Sequence, residues 1–359
     1  MKILFVCSTN NWGSDENWIN LAMRVLSREH QIYLCYRNKI LRTRFNKDIP
    51  KFRAPLLNIF DLFTYLKIIR FINRENIQIL VPTKKKEFFI CGIISILKGT
   101  VNILRLGMIS NIQRGFWNWL ILNKLSRGII VSSKRIKQHL VTQSLIAENK
   151  VKVIYECLDI NKLQVTKQWI EGDFNIVSVG NLVPSKGFHI LLKAVANLSK
   201  EIKQNLKVNI VGTGDMEIKL RLMVKELGLS DIVFFRGFMQ DPNSVVLESD
   251  LFVMLSTDEV LSTSMLEAMA LGVPVLASYA SGAAEIITDN ENGYLVDANY
   301  LPDVITCLEN IIQNRKTLPS MGLNGRDVAL KTFCEDNMKT ELEEFFFTQL
   351  RNKRKKSRF

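Results

Sequence analysis

The stretch Leu255-Ser256-Thr257-Asp258-Glu259-Val260-Leu261-Ser262-Thr263-Ser264-Met265-Leu266-Glu267-Ala268-Met269-Ala270-Leu271-Gly272-Val273-Pro274-Val275-Leu276-Ala277 reads as the end of a strand, a polar loop, a short helix and the next strand. Residues 251–255 and 273–277 are apolar runs short enough for buried strands. Parallel strands need a crossover between them, and Ser264 followed three residues later by Glu267 has capping-box spacing, so the helix is expected to start near Ser264. Its free N–H groups and the positive end of its dipole then face the loop, which suits an anion. Glu259 and Glu267 flank that loop, with seven residues between them. Carboxylates are poor phosphate ligands but good acceptors for hydroxyl hydrogens. Phosphate and hydroxyls together describe a sugar nucleotide. Glu267 as a plain helix cap and Glu259 as a solvated surface group fit the same residues.

Working outward, residues 174–179 form a predicted strand, followed by Gly180-Asn181-Leu182-Val183-Pro184-Ser185-Lys186-Gly187 and a helix to residue 198. This order brings Lys186, a compact charge suited to phosphate, to the carboxyl end of the strand. It is not a Walker loop, because Gly-x4-Gly-Lys-Ser/Thr is absent. Residues 208–211 lead into Gly212-Thr213-Gly214, and residues 233–237 into Phe238-Met239. The chain opens with an apolar strand over residues 1–7, a polar loop containing Gly13, a helix over 16–29 and a strand over 31–36, the beginning of a doubly wound domain. Gly13 fits either a close backbone approach to a ligand or an ordinary turn.

The Glu-x7-Glu spacing of Glu259 and Glu267, followed by Ala268-Met269-Ala270-Leu271-Gly272-Val273-Pro274-Val275, resembles the donor-site signature of the retaining GT-B glycosyltransferases, glycosyltransferase family 4-like or group 1. The likeness is strongest over residues 174–296 and loose over 1–170. It implies an α/β chain of two Rossmann-like doubly wound domains facing a central cleft. Residues 1–165 would bind the acceptor and 166–334 the nucleotide sugar, 335–350 would cross back to the first domain, and 351–359 would form a disordered basic tail. It also implies that Glu267 binds the ribose hydroxyls, Glu259 the donor sugar, and Lys186 with the N–H groups around Ser262, Thr263 and Ser264 the diphosphate. Glu259 and Lys186 are the catalytic candidates. Gly13, Asn181, Gly187, Gly212, Phe238 and Met239 complete the donor set, the last two near the base. The family works without a divalent metal, no Asp-x-Asp motif is present, and no cofactor is expected beyond a UDP- or GDP-linked substrate.

The chain departs from the family pattern at several points. Asn181 stands where Arg is frequent, and Val260-Leu261-Ser262 replaces a Gly-Phe-Gly-like segment, which narrows the expected sugar pocket. Arg105-Leu106-Gly107 stands where a histidine is frequent. A guanidinium stays charged near neutral pH, so Arg105 is expected to bind an anion rather than act as a base.

Length and composition agree with this outline. The 359 residues suit two domains, and 47% hydrophobic content suits a globular protein. Six scattered cysteines without Cys-x-x-Cys pairs fit reduced thiols and argue against a disulfide scaffold or zinc site. No window of about 18 apolar residues predicts a spanning helix.

Charge is uneven. Residues 1–170 carry a net +18, residues 171–350 a net −11, and the last nine residues +6. Anionic lipid or nucleic acid suits such a basic half, and the lack of an aromatic-basic RNA motif disfavours nucleic acid. Trp117 and Trp119, with Arg114 and Lys124 nearby, fit either a membrane-interface anchor or the apolar face of a packed helix. The sum points to a transferase acting on a glycan or lipid-linked acceptor in envelope polysaccharide or lipopolysaccharide synthesis, at the cytoplasmic membrane face. A sugar-nucleotide epimerase and a non-catalytic basic membrane- or nucleic-acid-binding protein are the alternatives.

Overall fold

The computed structural model describes residues 1–356 except 11, 108–114, 145, 161–162 and 258–260. The chain divides into two compact units, residues 1–157 with 335–359, and residues 158–334. The boundary therefore falls after Cys157 rather than after residue 165.

The first unit holds a parallel sheet of seven strands, β1 (Lys2–Cys7), β2 (Gln31–Tyr36), β3 (Lys51–Arg53), β4 (Ile79–Pro82), β5 (Val101–Leu106), β6 (Gly128–Val131) and β7 (Val151–Val153). They lie in the order β3-β2-β1-β4-β5-β6-β7. The connecting helices are α1 (Ser14–Leu26), α2 (Leu62–Glu75), α3 (Lys85–Lys98), α4 (Phe116–Asn123) and α5 (Lys134–Ser144). Strand side chains alternate in direction, so Ile3, Phe5 and Cys7 join the core beneath α1, while Leu4 and Val6 join the core of α2 and α3. Burial on both faces explains why β1 reads as an unbroken apolar run.

The second unit holds six parallel strands, β8 (Phe174–Val179), β9 (Leu206–Val211), β10 (Val233–Gly237), β11 (Leu251–Met254), β12 (Val275–Ser278) and β13 (Tyr294–Val296), ordered β10-β9-β8-β11-β12-β13. Its helices are α6 (Phe188–Asn197), α7 (Lys200–Gln204), α8 (Glu217–Glu226), α9 (Asn243–Glu248), α10 (Thr263–Ala270), α11 (Leu301–Gln313) and α12 (Leu318–Thr332). The strands are laid down on one side of β8 and then on the other. The carboxyl edge between β8 and β11 is thus a topological switch point, where open α/β sheets leave a crevice for ligands.

The last helix, α13 (Glu335–Lys356), returns to the first unit and buries Met338, Leu342, Phe345 and Phe346 in the core shared with Trp18 and Ala22. It runs past residue 350, so residues 351–356 are helical rather than a disordered arm. Lys and Arg are good helix formers, and their charge complements the negative end of the helix. Among the described residues, no helix is long and apolar enough to cross a membrane.

Candidate functional site at the switch point of the second sheet

Three loops meet backbone to backbone at the carboxyl ends of β8, β9 and β11. Gly180 N–H donates to the Val211 carbonyl (3.0 Å), Leu182 N–H to that of Thr213 (3.0 Å), and Thr257 N–H to that of Ser185 (2.9 Å). Only glycine permits this closeness at three points, one of them Gly214 against the Leu182 backbone. A Cβ at Gly212 would overlap the Gly180 carbonyl oxygen, and one at Gly187 would overlap that of Leu255. Gly212 and Gly187 lie at positive φ, 135° and 72°, which L side chains rarely adopt.

Lys186 ends a single 3-10 turn, Pro184–Lys186, and its side chain folds back over Gly180, the Cδ and Cε atoms 3.8 Å from where a Cβ of that glycine would stand. From the other side comes the N-terminus of α10. Its N-cap is Ser262, so the helix begins at Thr263 and not at Ser264. The expected capping box does not form. The Ser264 hydroxyl instead reaches the Val179 carbonyl (3.3 Å) and the Ser262 hydroxyl (2.9 Å), anchoring the helix start on the end of β8. Glu267 is the fifth helical residue, half-buried, and too far along to return to the cap.

The structure therefore brings Lys186, Gly187, Gly212, Ser262, Thr263 and Ser264 together around the end of β8, with Asn181 in the same loop. A lysine and a set of outward-facing helix N–H groups converge where an anion is best stabilised. Gly212 N–H donates to the Gly237 carbonyl (2.8 Å), so Phe238 and Met239 follow on the outer flank of the row. Phe238 is 75% exposed, an apolar ring free to stack on a planar group. The amino ends of the same strands carry a cavity of about 510 Å³, but there the buried Lys167 ammonium lies 3.5 Å from the buried Asp250 carboxylate, which compensates its charge. Glu259 lies outside the described residues.

Gly13 belongs to the first unit, where it precedes α1. The first turn of that helix carries Asp15 and Glu16, so its N-terminus is already faced by carboxylates. Arg105 is 2% exposed, donates to Asp15 (2.7 Å) and lies 5.1 Å over the Trp18 ring. The anion it binds is this side chain. Lys84 pairs with the other Asp15 oxygen (2.7 Å). Sequence spacing gave no sign of this charge cluster, because its members come from β5, α1 and the loop after β4.

Burial pushes the carboxyl of Glu156 up, against the opposing pull of Arg105 and of the Asn17 amide, which donates to it at 2.9 Å. A raised folded value means that this group detracts from stability as pH rises from its unfolded value, near 4.5, through the folded one. Glu156→Gln keeps the acceptor for Asn17 and removes the charge. Its melting temperature is expected to exceed that of the wild type at pH 8, with the difference vanishing at pH 4; a difference independent of pH would refute the assignment.

Two doubly wound parallel sheets, the second with an anion-suited switch-point site, make up the two-domain architecture of the GT-B fold. Residues 159–328, nearly all of the second unit, match the family model for glycosyl transferases group 1. Over its whole length the chain is similar to the N-acetyl-alpha-D-glucosaminyl L-malate synthase of Bacillus anthracis, 24% identical across 98% of both chains. The lipopolysaccharide core biosynthesis glycosyltransferase LpsE of Rhizobium meliloti is 29% identical over 45% of this chain and 46% of its own. Among solved structures, Anabaena HepE in complex with UDP superposes with a TM-score of 0.83 at 19% identity, covering 97% of this chain and 100% of that one.

Proposed function

We propose that the protein is a retaining glycosyltransferase that moves a sugar from a UDP- or GDP-linked donor to a glycan or lipid-linked acceptor in cell-envelope polysaccharide or lipopolysaccharide synthesis, working at the cytoplasmic membrane face. The observation that carries this reading is the convergence of Lys186 and the α10 N-terminus on the end of β8. The UDP in HepE and the envelope role in the name of LpsE support the donor class and the setting.

In this reading the diphosphate lies between Lys186 and the N–H groups at Thr263 and Ser264, with Gly187 and Gly212 admitting it to the backbone. Phe238 and Met239 flank the base, Glu267 receives the ribose hydroxyls, and Glu259 takes the donor sugar. Charge held in place before the reaction stabilises the departing diphosphate and an oxocarbenium-like sugar. The acceptor hydroxyl attacks the face from which the diphosphate leaves and passes its proton to that leaving group, so the site works without a histidine.

Lys186 and the helix dipole supply the positive charge, so neither metal nor cofactor is required. Incubation with labelled sugar nucleotides is expected to give slow donor hydrolysis with retained anomeric configuration, unchanged by EDTA. Isomerised sugar nucleotide would instead identify an epimerase, and abolition by EDTA would reinstate a metal.

A further inference from the structure

Trp117 and Trp119 do not enter the core. They are 64% and 41% exposed, and the buried side of α4 is made by Ile121 and Leu122. A second exposed apolar group, absent from the sequence expectation, lies at the start of α2, where Phe60 is 85% and Phe63 77% exposed and Leu57 and Leu62 stand out beside them. The two groups share one rim of the first unit. In a parallel sheet every connecting helix begins at the carboxyl edge, and α3 packs between α2 and α4, with Phe89 of α3 against Trp117 at 6.3 Å between ring centroids. Protruding rings on a soluble surface mark a contact site rather than a solvated face.

Basic side chains stand on the rim as well. Lys85 and Lys86 open α3 between the two apolar groups, and the acid of that first turn, Glu87, is buried. Lys124 lies 5.7 Å over the Trp119 ring. Asp61, the acid within the α2 tip, is turned inward as the helix cap. Its carboxylate accepts the Thr64 hydroxyl (2.7 Å) and the backbone N–H groups of Thr64 (3.2 Å) and Leu57 (3.1 Å).

We propose that this rim, the start of α2 together with α4, is a docking surface for an anionic phospholipid bilayer. A bilayer supplies both complements at once, an apolar phase for the rings and anionic headgroups for the cations, each basic residue near the surface contributing about 1 kcal/mol. The inference deepens the membrane-face part of the proposed function. Its test uses no sugar nucleotide, so a failed donor assignment and a failed docking surface give separate results.

Sedimentation with phosphatidylglycerol-containing vesicles tests it. The wild type is expected to co-sediment, and far less with pure phosphatidylcholine. Phe60→Ser combined with Phe63→Ser, and separately Trp117→Ser, are each expected to weaken partitioning at least about tenfold with unchanged circular dichroism and melting. Ile218→Ser, an equally exposed apolar site on α8, is expected to bind as the wild type does. Wild-type-like partitioning of both rim variants overturns the proposal. So does a wild-type dimer that ignores vesicles and dissociates in the Phe60→Ser, Phe63→Ser variant, since a second copy would then be the occupant.

Discussion

Lys186→Ala is expected to fold and melt like the wild type and to lose about 10²–10³-fold in turnover, the scale on which removing one preorganised charge contact to a developing anion acts. The lysine sits on a turn that its own backbone N–H helps to fix, donating to the Val183 carbonyl (3.1 Å), and the substitution keeps that bond. The effect is large because no arginine stands at Asn181 to share the load, leaving Lys186 and the helix dipole to hold the diphosphate. Steady-state kinetics with the cognate donor measure the loss, and full activity would remove Lys186 from the mechanism.

Gly187→Ala strikes the loop rather than the charge. At a φ of 72° an L side chain costs on the order of 1 kcal/mol, and the new methyl group also overlaps the Leu255 carbonyl oxygen. The backbone of β11 cannot yield without moving the start of the Glu-x7-Glu segment. A total of roughly 2–4 kcal/mol is expected, a fall of about 5–15 °C in melting temperature, together with loss of nucleotide binding. Gly228→Ala separates the two contributions. Its φ is 65° with open space around it, so it is expected to cost only the conformational part, roughly 1 kcal/mol. Equal destabilisation by the two variants would show that the three loops are not locked as described.

The second sheet was legible because its signals are local. Apolar runs bounded by glycine read as buried strands, and glycines at tight loops mark where backbones touch, so Gly187 and Gly212 fell where the packing needs them. Capping was misplaced by two residues. Ser262, Thr263 and Ser264 are all good cap residues, and what selects Ser262 is the bond from Ser264 to the Val179 carbonyl, a contact across 85 residues that spacing does not reveal. Arg105 reads as an anion binder, but nothing in the spacing shows that its anion is Asp15. The tryptophans were ambiguous for a similar reason, since an eight-residue helix is too short for periodicity to say which side is buried. The exposure of Phe60 and Phe63 is not legible in the sequence, because exposed apolar residues at a helix start look like the first turn of an amphipathic pattern.

Calorimetric titration of the wild type and of Lys186→Ala with UDP and with GDP bears most directly on the donor site at the switch point. One of the two nucleotides is expected to bind the wild type and to bind Lys186→Ala at least about tenfold more weakly, a difference of about 1.4 kcal/mol, with both proteins melting alike when nucleotide is absent. Failure of both nucleotides to bind the wild type, or equal affinity in the two proteins, would contradict it.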